Sequence, residues 1–570
     1  MKLKLLNFLQ AKGLYLILII FFIVGITGIF YDYSLNTGGD ETVLMAASIK
    51  MISEHTLRPN YPTFYHLPVG AYFYLLPFIL FFILLRLLGV FTSLNSLKEF
   101  GIIDYQKFLP FARFLTVLMG MISIYLLYKI AQKLFNNKWL SLLAAFFLSS
   151  SLMFVQVAHL GRVWIPQVMT ILLAFYLIII LYQKQENKFK DYLFVGLSIG
   201  LAFGTHVVGI AIYASFFIVH YLKNASKKIK DIFLANKYFW LVNIIIIMCY
   251  FLLFYLNPYG FKNYINKQGG ILPNISYLSQ QDFNNDIASV GAYQDFSDKI
   301  IYYPNALFQH EPLLVLLSLF GFAILFFKER KIFYIIVSFI IVYYSVISFS
   351  GWEPRYILPV VPFMAIAASY GVFALYKRIN KIMAICILVP IMIIIFVIPL
   401  AWDYRIIQPG ARLTAKDWIY KNIPSGNSII NFDTPLELNE NQQSLADIKK
   451  FASNYFTKKR AYLLSQSEEK YSEPNYYIFN YPHFNNLPKE LLNKKYDYLI
   501  ISWSDGEELK EKLDQARSFK LDATLLKRFP ESADENSRYQ TWWDMEKPIY
   551  TIINDNIRAP IIDIYKLKSN

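Results

Sequence analysis

Two adjacent carboxylates, Asp40 and Glu41, follow a glycine pair in "NTGGDETVLMAASIKM". A carboxylate can take the proton from an attacking hydroxyl, a contribution of roughly 10²–10⁴-fold to rate. The same pair can instead begin the helix that the next residues suggest, because acidic side chains suit a helix N-terminus. Side chains able to meet an anion recur further along. Arg58 and His66 follow in the same loop, "AHLGRVW" carries His159 and Arg162, and "GTHVVG" carries His206. "FQHEP" adds His310 and Glu311, and "WEPRYILP" adds Glu353 and Arg355. Arg and His donors suit a phosphate that gains charge as it leaves, through bidentate or charge-assisted hydrogen bonds. A carboxylate base beside such donors is equipped for glycosyl transfer from a lipid-phosphate sugar.

The elements that must position these groups lie in a membrane. The chain has 570 residues, 56% hydrophobic and 18% aromatic, and its mean hydropathy is +0.37. Soluble domains rarely have this composition, and several apolar runs are long enough to cross a bilayer. The net charge of +15 does not point to nucleic acid, because Lys and Arg gather in short loops between apolar runs. That pattern sets topology and meets anionic headgroups. Cys249 and Cys386 lie inside apolar runs, so no disulfide framework is indicated. "MKLKLLNFLQAKG" before an apolar run resembles a signal anchor.

Basic loops belong in the cytoplasm. The five clearest are 128–138, 182–191, 223–231, 327–331 and 376–381. Placing all five inside predicts spans at 12–30, 110–128, 139–157, 164–182, 191–205, 206–222, 237–256, 312–327, 332–350, 356–376 and 382–400. That makes about eleven crossings, with the N-terminus cytoplasmic and everything after residue 401 outside. The apolar stretch 66–91 would disturb this path if it crossed once. It therefore reads as part of a juxtamembrane or re-entrant unit, 66–107, or as a hairpin that raises the count to about thirteen. The fold class is a polytopic α-helical membrane domain, 1–402, with juxtamembrane helices in a first outer loop, 31–109. An extracytoplasmic α/β domain follows at 403–570, with helices at "RLTAKDWIYKNI" and "GEELKEKLDQARS" and strands at "SIINF", "YDYLIIS" and "APIIDIYKL". Its middle section, about 434–485, reads as irregular and rich in Asn and Tyr.

This topology puts every polar residue named above at one face. Ionisable groups near membrane depth are costly and mark a site or an ion path. Convergence from five separate places argues for one outward cavity. Taken singly, His159 and His206 read as packed or interfacial side chains, and Arg162 and Arg355 as snorkelling anchors. A positive residue at an outer end opposes the orientation bias, however, which favours a functional role.

The motifs, in order, resemble a known family. "GGDETVLMAASIKMI", "YHLPVGAYFYLL", "RFLTVLMGMISIYLLYKIAQKLF", "VAHLGRVWIP", "GLSIGLAFGTHVVG", "EPRYILPVVPFMAIAASYG" and "RLTAKDWIYKNIPSGNSI" resemble the GT-C membrane glycosyltransferases. The similarity is greatest to the branch of protein O-mannosyltransferases and lipid A aminoarabinose transferases, over about residues 10–430. The resemblance implies an inverting transferase with a polyprenyl-phosphate-linked donor, in the plasma (inner) membrane. It places the base on Asp40, with Glu41 as neighbour or substitute, and gives phosphate to Arg355. Arg162, Arg58, His206 and His66 are further candidates for the phosphate, and His159, His310, Glu311 and Glu353 for the lining. Where the family often has Lys or His before two prolines, this chain has "HLP"; its "GTK" lysine is His206, and an acid is replaced by Trp164. On this resemblance the two histidines would make phosphate binding depend on pH and would suit a different donor sugar, and the loss of the acid at Trp164 would mean that no metal binds there.

The acceptor is a lipid, glycan or protein, and neither nucleic acid nor a cofactor is called for. A divalent cation stays unassigned: no metal motif with ligand spacing occurs, and the acidic "DFNND" at 282–286 reads as a polar loop. "TWWDM" at 541–545 is similar to the Trp-Trp-Asp motif of oligosaccharyltransferases but lacks the Gly that follows it. Two other functions compete: a flippase for a lipid-linked glycan, and a receptor acting through its outer domain. A transporter predicts inverted repeats with helices broken near the midplane, and neither is legible.

Overall fold

The computed structural model describes residues 2–31, 41–59, 68–90, 99–101, 105–186, 188–226, 228–233, 236–258, 296–348, 353–408, 410–432, 436–453, 456–467, 471–481, 489–492, 494–518, 522–534, 536–537, 546–554 and 560–568, besides a few isolated positions. The chain forms two compact units. One comprises Met1–Ile29, Glu41–Leu85 and Phe111–Ala401; the other comprises Phe30–Asp40, Arg86–Pro110 and Trp402–Asn570.

Apolar chain in hydrocarbon must satisfy its backbone internally, so the first unit is helical. It opens with α1 (Lys2–Ile26), α2 (Glu41–Ser53), α3 (Pro68–Leu87), α4 (Leu109–Phe135), α5 (Lys138–Ser149) and α6 (Leu152–Ala158). Then come α7 (Trp164–Gln183), α8 (Phe189–Thr205), α9 (Tyr213–Asn224), α10 (Ile229–Phe233) and α11 (Lys237–Leu256). It continues with α12 (Phe296–His310), α13 (Pro312–Lys328), α14 (Arg330–Ile347), α15 (Val361–Arg378) and α16 (Lys381–Ile407).

Among the described residues, 8 helices are long and apolar enough to cross a membrane, or 10 if each of two bent pairs is one span. The sequence expectation of eleven includes two short elements that these 10 leave out, whereas the 10 include α3, Pro68–Leu87, which the sequence places in a juxtamembrane or re-entrant unit outside its eleven. Lys12–Ile26 counts only as a shorter apolar helix, and α8 has 17 residues, about 26 Å at 1.5 Å per residue against a hydrocarbon core of about 30 Å. The bent pairs are α5 with α6, at 60°, and Ile300–His310 with α13, at 113°. The second break follows from Pro312 at the start of α13, which supplies no N–H to continue the preceding helix.

Helices α13 and α15 cross where glycine is obligatory. A Cβ on Gly321 would lie 1.8 Å from the Ala367 carbonyl oxygen, and one on Gly371 would lie 2.9 Å from the Gly321 Cα. Backbones meet this closely only where side chains are minimal. Gly321→Ala is expected to cost about 1–3 kcal/mol, read as a lower thermal midpoint of the purified protein. An unchanged midpoint would mean that the two helices do not pack this way.

All five basic loops gather at one end of this unit. Gln183 Nε2, in 182–191, donates to the Lys133 carbonyl of 128–138. Lys223 Nζ donates to the Leu181 carbonyl at 2.8 Å and to the Lys184 carbonyl. Phe135, Lys328 and Lys377 then line a single cleft that joins the other two loops to 128–138.

The second unit holds a five-stranded sheet in the order β2-β1-β3-β5-β4. Its strands are β1 (Ser428–Phe432), β2 (Tyr477–Tyr481), β3 (Tyr498–Trp503), β4 (Ala523–Phe529) and β5 (Ile561–Leu567). β1 runs parallel to β2 and β3, and β5 antiparallel to β3 and β4. Helices Ala411–Asn422 and Gly506–Ser518 occur where the sequence pattern predicts them. The section expected to be irregular is ordered in part, with helices Gln442–Phe451 and Lys458–Leu464 as well as β2. Its Asn residues weaken the local strand signal that its Tyr residues would give. Buried Ile478 and Phe479 gain from contact with distant strands rather than from their neighbours. The other unforeseen strand, β4, is half-exposed and charged; its Arg528 pairs with fully buried Asp563 at 2.7 Å. In the same unit Gln106 donates to Glu437 at 2.8 Å, which ties the segment before α4 to the one after β1.

Candidate active site

Glu41, the first residue of α2, is 1% exposed. Arg113, in the first turns of α4, grips both its oxygens, with Nε 2.6 Å from Oε1 and Nη2 2.9 Å from Oε2. Oε1 also accepts the Gly161 N–H at 3.0 Å, while Arg113 Nη1 donates to the Ile29 carbonyl at 2.9 Å. One ion pair thus ties the end of α1 and the starts of α2 and α4 to the turn before α7. Burying both charges is tolerated because each meets a partner in bidentate, charge-assisted geometry.

The floor of α2 is set by its neighbours. Ser48 Oγ donates to the Ala71 carbonyl of α3 at 2.9 Å, and the hydroxyls of Tyr74 and Thr116 lie 2.8 Å apart. A Cβ on Gly70 would meet Leu44 at 3.2 Å and Val163 at 3.4 Å, so α2, α3 and the 161–163 turn close on one another. His159 fixes that turn. It is fully buried, with Nδ1 2.8 Å from the Val155 carbonyl and Nε2 2.8 Å from the Thr27 carbonyl. It is a fastener between α6 and the end of α1.

Beyond the turn, buried Arg162 is followed by Trp164 at the start of α7. The Trp164 ring lies 4.8 Å from the His206 ring and 4.7 Å from the Tyr356 ring. His206 ends α8 and accepts the Val208 N–H on Nδ1 at 3.4 Å. Next to Tyr356, Arg355 is 2% exposed and donates from Nη1 to Glu353 at 2.9 Å. Its guanidinium carbon is 5.7 Å from the Tyr356 ring centre, and Tyr343 of α14 pins the Tyr356 carbonyl at 2.8 Å. Contacts therefore run without a gap from Glu41 through 161–164 to His206, Arg355 and Glu353.

Glu311 plays a different part. Its Oε1 accepts the Ser151 hydroxyl at 2.5 Å and the Met153 N–H at 2.9 Å, so it caps α6 from the break between α12 and α13. Glu311→Ala would leave these donors unmet, at about 1–3 kcal/mol. A thermal midpoint equal to wild type would refute the capping role. His310 faces the Ala306 carbonyl with Nδ1 at 2.9 Å. Exposed Arg58 lies over Tyr255 of α11, 4.8 Å from its ring centre. Asp40, His66, 282–286 and 541–545 lie outside the described residues. Among the described residues no group of three or more His, Cys, Asp or Glu is placed to hold a metal ion.

Arg113 is not among the residues that the sequence singles out, although an arginine in the first turns of an apolar span is itself a flag. Trp164 stands out there only as a departure, and Tyr356 not at all. Aromatic side chains in an apolar segment carry no signal that separates packing from a site wall.

Residues 110–255 match the family model of the dolichyl-phosphate-mannose-protein mannosyltransferases, a stretch that holds Arg113, His159, Arg162, Trp164 and His206. It is the branch that the motifs resemble. No curated protein matches the chain. Among solved structures, ArnT from Cupriavidus metallidurans bound to undecaprenyl phosphate is 12% identical, with 97% of this chain and 98% of that chain covered and a TM-score of 0.46. The Archaeoglobus fulgidus oligosaccharyltransferase in complex with Zn and sulfate is 13% identical, with 88% and 69% covered and a TM-score of 0.45. The S. cerevisiae protein O-mannosyltransferase Pmt1-Pmt2 complex bound to the sugar donor is 15% identical, with 43% and 33% covered and a TM-score of 0.31.

Proposed function

We propose that this chain, a membrane glycosyltransferase of the GT-C kind, moves one sugar from a polyprenyl-phosphate carrier to an acceptor hydroxyl at the outer membrane face. The observation that supports this most is the continuous set of contacts joining Glu41, 161–164, His206 and Arg355. These segments are far apart in sequence and carry both acid and cations.

In this reading Asp40 takes the proton of the acceptor hydroxyl. The acceptor oxygen bonds to the anomeric carbon from the face opposite the phosphate, and the carbon–oxygen bond to phosphate breaks. Its electron pair leaves on the polyprenyl phosphate, which accounts for inversion. Glu41 acts through Arg113 as the anchor that fixes where α2 begins. Arg355, oriented by Glu353, and Arg162 meet the phosphate as its charge grows, with His206, His66 and Arg58 as further donors. His159, His310 and Glu311 hold the surrounding turns. Trp164, His206 and Tyr356 form an aromatic wall where the family often carries charge, which favours a donor sugar of its own kind. Acceptors remain of three classes, lipid, glycan or protein, and a divalent cation is not assigned.

The test is purified protein in detergent with defined polyprenyl-phosphate sugars, scored by release of polyprenyl phosphate together with transfer of labelled sugar. Arg355→Gln should raise the donor KM roughly ten- to hundredfold, the worth of a hydrogen bond to a charged group. Movement of the donor across proteoliposomes with no release of polyprenyl phosphate would make the protein a flippase instead.

A further inference from the structure

At the end of the first unit where the basic loops gather, a cleft of about 340 Å³ opens between helix ends. Lys328, Lys377 and Arg378 line it, with Glu329 as the one carboxylate in the lining among the described residues and Asn137 and Tyr370 beside them. Its walls are built rather than incidental. The rings of Phe135 and Tyr370 pack at 4.9 Å, and Lys377 Nζ is held 4.5 Å from the centre of the Phe373 ring. Asn137 caps α5 by accepting the Leu140 N–H at 3.1 Å, which fixes the turn on that side. None of these residues belongs to the catalytic reading above.

Three cations against one carboxylate leave a surplus of two positive charges, which calls for an anion. Apolar neighbours, Leu134, Leu140 and Phe373, stand in the same lining, so a ligand with an apolar body fits better than a bare ion. A cleft at the ends of membrane-spanning helices, ringed by basic loops, lies at headgroup depth. We infer that it binds the phosphate of an anionic membrane lipid, a phosphodiester headgroup whose acyl chains lie along α4 and α15. Glu329 opposes a second negative charge, which favours a singly charged diester over a phosphate monoester.

The experiment uses the full chain purified in mild detergent, mixed with phosphatidylglycerol or phosphatidylcholine, and counts bound lipid by native mass spectrometry. The wild type should retain phosphatidylglycerol in preference. The Lys328→Gln, Lys377→Gln, Arg378→Gln triple variant should lose that preference by roughly 100-fold, about fivefold per cation. Glu329→Gln guards against a folding defect, since it should retain more phosphatidylglycerol than the wild type. Equal retention by the triple variant and the wild type would overturn the proposal, as would weaker retention by Glu329→Gln. A third arm adds inorganic phosphate. Phosphate that displaces the lipid, or forms its own adduct without lipid, would assign the cleft to a soluble anion and overturn the lipid reading.

Discussion

Asp40→Asn protein, purified and given a polyprenyl-phosphate sugar and its acceptor, is expected to lose transfer by roughly 10²–10⁴-fold, the worth of a positioned general base. The amide keeps the size of the carboxyl and its capacity to accept a hydrogen bond, but it cannot take the acceptor's proton. The loss should therefore fall on kcat, with the donor KM nearly unchanged, because interactions made only in the transition state raise kcat. The thermal midpoint should hold, since the Glu41–Arg113 pair that anchors α2 is left in place. Glu41→Gln sharpens the assignment. If transfer survives Asp40→Asn and disappears in Glu41→Gln without loss of stability, the base is Glu41 and the anchor reading is wrong.

Arg113→Met should destabilise the first unit by about 3–5 kcal/mol, the cost of leaving a buried charge without its partner. Glu41 would keep the Gly161 N–H at 3.0 Å but lose both guanidinium contacts. The Ile29 carbonyl would lose its donor as well. Adding Glu41→Gln to Arg113→Met removes the stranded charge, so the double variant should regain a large part of the midpoint, because a neutral replacement of both partners is often tolerated. The double-variant cycle, measured by thermal unfolding and by transfer rate, separates stability from positioning. Recovered stability with transfer still depressed is the expected pattern. Additive midpoint shifts would show that the two residues do not act as a pair.

Part of this design is legible along the chain. Hydropathy over about twenty residues and the placing of lysines depend only on local composition, and they suffice for the helical membrane domain and the grouping of five loops at one end. The alternation in "SIINF" and "APIIDIYKL" likewise gives β1 and β5. The motif order carries the glycosyltransferase resemblance. Position along the sequence also draws Arg162, His206, Glu353 and Arg355 to one end once topology is fixed.

Roles within that end were decided by tertiary structure. Glu41 and Arg113 stand 72 positions apart, and nothing local tells a helix-capping acid from one locked in an ion pair. His159, a candidate for the cavity lining, instead meets the Val155 carbonyl of α6 and the Thr27 carbonyl just past α1. Trp164 looked like a missing acid but joins His206 to Tyr356. Residue type sets which bonds a side chain can make. Which of them it does make depends on the distant atoms that folding brings within about 3 Å.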